Sequence, residues 1–118
     1  MPFDDAGFGQ VAKDLAVLRA ARSSLQPRGS WCRGAFARAG GQRCAVGWLV
    51  FHARVDNSRL GLSVIEDLVE RGFGSFFPDG ETGAYAQLID FNDASDRKSC
   101  VVRMFDRAIE RLEGGGTG

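Results

Sequence analysis

The chain has 118 residues, of which 44% are hydrophobic and 25% charged, a composition typical of one globular domain. Basic and acidic residues are equal in number, which excludes a protein that coats nucleic acid with its whole surface but leaves a local basic patch open. No apolar run approaches the roughly 20 residues that span a bilayer, and the N-terminal sequence does not resemble a signal peptide, so we expect a cytoplasmic protein.

The first half of the sequence predicts a helix, a loop and a central buried element. Residues 7–25 have apolar positions at spacings of three, four and seven, which predicts an amphipathic helix that Pro27 and Gly29 then stop. Residues 30–42 are predicted to form an ordered loop or a short hairpin. Residues 43–55 are apolar on nearly every side, which favours a core helix, although a buried strand fits the same pattern. The apolar stripe of the first helix consists of Phe8, Val11, Leu15, Leu18 and Leu25.

A capping box predicts the start of the next helix. Ser63 and Glu66 have the spacing at which each side chain bonds the other residue's backbone amide, and Gly72 is expected to end this helix. Residues 72–83 then form the longest irregular stretch. Its three phenylalanines are predicted to be core side chains rather than an exposed aromatic site. These are Phe73, Phe76 and Phe77.

Two helical segments are predicted in the last part of the chain. Residues 84–91 form a short one, and residues 96–113 form a long amphipathic one whose arginines are expected to pair with acids three positions away. We therefore predict a mainly α, compact single domain over residues 1–113, with four or five short helices around the central one and a flexible tail over 114–118. The arginines are Arg103, Arg107 and Arg111, with Asp106, Glu110 and Glu113 as partners.

Three sequence motifs resemble those of a family of small bacterial and phage proteins that is known only as a domain of unknown function. Residues 31–49 have the sequence WCRGAFARAGGQRCAVGWL, residues 91–93 are FND, and residues 106–112 are DRAIERL. Trp48 departs from the small residue usual in the family, and residues 56–83 match nothing recognisable. The resemblance implies a compact, mostly helical fold, but no reaction and no ligand. The motif residues are Trp31, Gly34, Ala35, Ala37, Arg38, Cys44, Ala45, Gly47, Asn92, Asp93, Asp106, Arg107, Ala108 and Ile109.

These motifs have plausible structural roles and weak catalytic ones. Gly34 and Gly47 would let backbones approach closely, and Asn92 or Asp93 would cap the final helix. Cys44 is a weak candidate nucleophile because it needs a nearby base, and a helix would place the only histidine about 12 Å away along the axis. Asn92 and Asp93 are the other weak catalytic candidates. The cysteine and histidine spacings match no zinc motif, and no cofactor motif is present.

The charge distribution suggests a function. Residues 15–55 contain seven arginines and no acid, whereas residues 56–96 contain nine acids and two arginines. Either the two regions pair within the fold, with Arg54 the first expected to do so, or the arginines present a face to a partner. We expect a non-enzymatic module that binds a protein, which in a phage or mobile element could inhibit a bacterial defence complex. A nucleic-acid-binding accessory protein and a small cysteine-dependent enzyme are the alternatives. The expected binding residues are Arg19, Arg22, Trp31, Arg33, Phe36, Arg38 and Arg43.

Overall fold

Five α-helices form most of the computed structural model, which describes residues 2–77 and 82–115 and the side chains of residues 9–77 and 82–114. No strand occurs within these ranges, so the predicted mainly α fold is confirmed. None of the described helices combines the length and hydropathy needed to cross a membrane. The helices are α1 (Pro2–Leu25), α2 (Ala45–Ala53), α3 (Leu62–Phe73), α4 (Ala84–Ala94) and α5 (Lys98–Gly115), with a 3₁₀ turn at Gly74–Phe76.

The short helix α2 lies at the centre of the fold, as its apolar sequence predicts. Ala45, Val46 and Leu49 are fully buried, and α2 packs against α1, α3 and α4. A helix that is apolar on nearly all sides is stable only when other elements cover it. The burial of this segment, which supplies about 0.8 kcal/mol for each CH₂ group removed from water, therefore sets the arrangement of the other helices.

The long helices α1 and α5 pack against each other and supply much of the core around α2. Their buried positions follow the helical period that the sequence predicts, except that Val11 is 39% exposed. Phe8 lies outside the residues whose side chains are described. Helix α5 includes two residues of the predicted tail, and residues 116–118 lie outside the described ranges. The buried residues are Leu15, Leu18, Ala21 and Leu25 on α1 and Val101, Met104, Phe105 and Ala108 on α5.

The predicted capping box does not form. Helix α3 has Gly61 as its N-cap with no side-chain hydrogen bond, and Ser63 already lies inside the first turn. The reason is the preceding turn, in which the Leu60 amide donates to the Asn57 carbonyl oxygen at 3.1 Å. After that turn the chain enters the helix at its N-cap, Gly61, two residues before Ser63.

The prediction that the three phenylalanines of residues 72–83 are core side chains is largely confirmed. Phe73 is fully buried and packs edge-on against Phe105, with ring centroids 5.1 Å apart. Phe76 and Phe77 are half-buried against the same core. Because Phe73 inserts into this core, α3 continues past Gly72 to Phe73 rather than ending at the glycine.

The Asn92–Asp93 pair lies at the end of α4, and the prediction that it caps the final helix is wrong. Helix α4 ends when Ser95 adopts an extended backbone conformation and its hydroxyl donates to the Phe91 carbonyl oxygen at 2.7 Å. Helix α5 begins at Lys98. The asparagine side chain is therefore available for a different role.

Candidate functional site

Asn92 lies where the sequence motifs of the α1–α2 loop, α2 and α4 meet. Its side chain is fully buried, and its Oδ1 accepts from the Trp31 Nε1–H at 2.7 Å and from the Ala45 amide at 3.0 Å. Its Nδ2 donates to the Cys32 carbonyl oxygen and to the Asp93 Oδ1, both at 3.1 Å. The carboxamide thus uses both of its donors and accepts two hydrogen bonds. It joins α4 to α2 and to residues 26–44, which we call the anchored loop.

Asp93 supports a tight turn within the anchored loop. Its Oδ1 accepts from the Gly34 amide at 2.8 Å, and Gly34 has a φ of 78°. This left-handed conformation strains any residue that carries a Cβ. The expected close backbone approach is absent, since only the Arg38 Nη2, at 3.9 Å, would lie near a Cβ at this position. Gly34 is therefore required for its backbone conformation rather than for close packing.

Gly47, by contrast, confirms the predicted close approach. A Cβ at this position would overlap the Phe36 carbonyl oxygen and would lie 3.2 Å from the Arg43 Cβ. The same carbonyl oxygen accepts from the Cys44 amide at 3.0 Å. The anchored loop is therefore held directly against the first turn of α2.

Cys44 has a structural role at the start of α2. Its Sγ accepts from the Gly47 amide at 3.3 Å, which makes it the N-cap of the helix. Burial raises the pKa of the Cys44 thiol, which disfavours the nucleophilic thiolate. The chain's histidine, His52, has its Nε2 at hydrogen-bond distance from the Ser24 Oγ, 2.7 Å away. Within the described residues, no three His, Cys, Asp or Glu side chains come together as a metal site would require.

The outer surface of the anchored loop carries three of the expected binding residues. Arg33, Phe36 and Arg38 are all exposed, and we call them the loop face. Phe36 is 49% exposed and touches only the edge of the fold, with its ring centroid 6.4 Å from that of Tyr85. Arg33 Nη1 donates to the Ser95 carbonyl oxygen at 2.8 Å, and Arg38 Nη2 donates to the Arg33 carbonyl oxygen at 2.7 Å. These bonds position both guanidinium groups without neutralising their charge.

Two other expected binding residues form ion pairs with α5 instead. Arg22 Nε lies 2.6 Å from the Asp106 Oδ1, and Arg19 pairs with Glu113. The Asp106 carboxylate raises the pKa of Arg22 through this hydrogen bond. Exposed pairs of this kind contribute about 0–1 kcal/mol each, so their main effect is to occupy both arginines.

Trp31 and Arg43 lie beneath the loop face rather than on it. Trp31 is half-buried, and its Nε1–H donates to the Asn92 Oδ1 in the core. The Arg43 guanidinium stacks on two rings, 5.3 Å from the Trp48 centroid and 4.6 Å from the Phe51 centroid. These contacts orient the base of the anchored loop.

The expected pairing between the basic and acidic regions does not occur among the described residues. No ion pair there joins an arginine of residues 15–55 to an acid of residues 56–96. Arg54 Nε instead donates to the Leu60 carbonyl oxygen at 3.1 Å. The ion pair with the most buried carboxylate joins Arg71 to Asp14, whose side chain is only 3% exposed.

Two serines that support the anchored loop were missed from the sequence. The Ser30 carbonyl oxygen accepts from the Trp48 Nε1–H at 2.9 Å and from the Arg43 amide at 3.0 Å. The Ser95 carbonyl oxygen holds Arg33. These contacts use backbone oxygens, which give no signal in the sequence, although the Ser30 hydroxyl also donates to the Leu25 and Pro27 carbonyl oxygens. Only their positions beside a helix end and a family motif could have indicated them.

The fold and site thus define a small, mainly α protein in which Asn92 and Asp93 fasten one surface loop. Over residues 10–111 the chain matches the family of unknown function DUF6197. Because this match covers most of the chain, the protein belongs to that family, which confirms the expected membership of a family known only as a domain of unknown function. No curated protein and no solved structure gives a significant match.

Proposed function

We propose that the protein is a non-enzymatic interaction module that binds a partner protein through the loop face. The observation that carries this proposal is the position of Phe36, which is 49% exposed on a loop whose backbone is fastened on both sides. Full burial of a large aromatic side chain is worth about 1.5–3 kcal/mol, and a partner that covers Phe36 would recover about half of this because the ring is already partly covered.

The composition of the loop face supports a protein partner. Aromatic residues and arginine are enriched among the residues that dominate binding energy at interfaces. Arg33 and Arg38 flank the phenylalanine, and neither pairs with an acid among the described residues. Their charges complement an acidic surface, and the fork geometry of guanidinium suits bidentate pairing with carboxylates.

The anchoring of the loop also favours binding. Phe36 lies between the turn held by Asp93 and the helix start held by Asn92. A loop that is already ordered loses little conformational entropy when a partner docks, so more of the contact energy appears as affinity. Asn92, Asp93 and Gly34 would then preserve the shape of the surface, while the exposed side chains of the loop face determine the partner.

The test is a quantitative pull-down from cells that produce the protein, comparing two double variants. Phe36→Ser with Arg38→Glu alters the loop face, whereas Val64→Ser with Arg59→Glu changes a comparably exposed apolar residue and an equal charge elsewhere. We expect the wild type and the second variant to capture the same protein, and the loop-face variant to lose it at least about tenfold. Both should melt within a few degrees of the wild type.

Equal capture by both variants would refute the loop face as the binding surface. A function as an inhibitor of a bacterial defence complex, and a cytoplasmic location, stay hypotheses within this proposal. The identity of the captured protein tests the first, and cell fractionation tests the second.

A further inference from the structure

A second cationic surface lies where α4 passes into α5. A groove of about 630 Å³ is lined there by Arg97, Arg103 and Arg107, with Asp96 as the one acid among its described lining residues. All three arginines are exposed. The groove lies outside the arginine-rich residues 15–55, so the division of the sequence into a basic and an acidic region did not predict it.

The acids of α5 leave two of these arginines unpaired. The predicted partners three positions away do not pair with them: Asp106 bonds Arg22 of α1 instead, and Glu110 forms no ion pair among the described residues. Among the described residues, neither Arg103 nor Arg107 lies within ion-pair distance of a carboxylate. Packing of α1 on α5 thus engages Asp106 and leaves the guanidinium groups of Arg103 and Arg107 exposed.

Two contacts hold the groove in place. The Arg107 guanidinium stacks on the Phe76 ring, 4.7 Å from its centroid. Ser95, which lines the groove, also accepts the hydrogen bond from Arg33. The loop face and the groove are thus neighbouring surfaces joined through one residue.

We propose that this groove binds the phosphate backbone of single-stranded nucleic acid. Guanidinium groups pair bidentately with phosphate oxygens, and the groove supplies three of them. A protein interface would need an exposed apolar anchor at its centre, whereas the large apolar residues that line the groove, Phe91 and Met104, are half-buried and buried against the core. In this the groove differs from the loop face, which has Phe36.

The extent of the charge favours a single strand over a duplex. Arg103 and Arg107 lie about one turn apart on α5, about 6 Å at the helical rise, and Arg97 directly precedes the helix, a spacing that suits a few consecutive phosphates of one strand. Asp96 also lines the groove and limits the continuous positive surface that a broader duplex would need. Binding therefore depends on backbone charge and shows little preference for sequence.

The experiment measures fluorescence anisotropy of a labelled oligothymidylate of about 20 nucleotides over a series of salt concentrations. Three phosphate contacts predict that the logarithm of the binding constant falls with the logarithm of salt at a slope of about −2. In Arg103→Gln with Arg107→Gln the slope should shrink to about −0.7, and the affinity at low salt should fall at least about tenfold. Both residues are exposed, so this variant should fold, and a thermal melt within a few degrees of the wild type would show that loss of the Arg107–Phe76 stack leaves the fold intact.

A matched variant separates the groove from general charge. Arg28→Gln with Arg59→Gln removes the same charge from exposed sites outside the groove and should bind almost as the wild type does. Three results would overturn the proposal: no binding at low salt, equal losses in the two variants, or competition by oligoglutamate as strong as that by unlabelled oligothymidylate. The loop-face variant should bind the oligonucleotide normally, so this proposal and the protein-binding one can fail separately.

Discussion

Among substitutions that remove as few atoms, Asn92→Ala should lower the free energy of unfolding the most. The substitution removes four hydrogen bonds and leaves the Ala45 amide and the Cys32 carbonyl oxygen without their partner in a buried site. An orphaned buried group costs about 1–3 kcal/mol, and Trp31, being half-buried, adds less because water can reach it. We expect the free energy of unfolding to fall by about 3–5 kcal/mol.

Urea unfolding followed by tryptophan fluorescence measures this loss, and the melting temperature should fall by roughly 10–25 °C. The chain's other asparagine, Asn57, is exposed and provides the matched control: its alanine variant loses one exposed hydrogen bond, from the Arg59 amide, and should stay within about 1 kcal/mol of the wild type. Asn92→Asp keeps the side-chain volume but places a carboxylate oxygen against the Cys32 carbonyl oxygen and the Asp93 carboxylate, so it should destabilise the fold at least as much as the alanine variant although it leaves no cavity. Equal stability of Asn92→Ala and Asn57→Ala would refute the anchoring role of Asn92.

Three further predictions follow from packing, thiol exposure and titration. Gly47→Ala should lower the free energy of unfolding by about 2–4 kcal/mol because its Cβ would overlap a backbone oxygen. Gly72→Ala is the matched control, because the nearest atom to its Cβ belongs to a flexible side chain at 3.5 Å, and it should be neutral or stabilising by up to about 1 kcal/mol. In the native protein a thiol reagent should modify only the exposed Cys100, and fast modification of Cys44 would instead support a cysteine enzyme. Burial lowers the pKa of His52 below 6.5, so its contribution to stability should be complete above that pH and be lost as the pH falls; a wild-type pH profile no steeper than that of His52→Gln would contradict this.

The sequence predicted the elements that depend on local periodicity. The buried stripe of α5 follows from apolar spacing alone, and the contact at Gly47 follows from a glycine within a buried helix. For α2 the apolar sequence predicted a central buried element and favoured a helix over a strand without deciding between them. Val11 shows the limit of this reasoning, because it has the correct spacing but is 39% exposed. The end of α3 was misplaced for a related reason, since burial of Phe73 outweighs the tendency of Gly72 to end a helix.

The site could be predicted only in part because its contacts join distant parts of the chain. Asparagine is a residue type that often caps helices, and nothing in the neighbouring sequence indicates that Asn92 bonds residues 47 to 61 positions away. The arginines present the same difficulty. Arg22 and Arg33 look equivalent in sequence, but the packing of α1 on α5 brings Asp106 to Arg22, whereas Arg33 meets only a carbonyl oxygen. Charge counting identified the basic region but not which of its members are available to a partner.

Hydrogen exchange at the amides of the anchored loop tests most directly whether this surface is preformed. The Cys32, Arg43, Cys44 and Ala45 amides all donate to defined acceptors, so they should exchange far more slowly than an open loop. In Asn92→Ala their protection should drop sharply, while amides in the middle of α5 lose protection only to the extent that overall stability falls. Exchange of these four amides at the open-loop rate in the wild type would contradict the account.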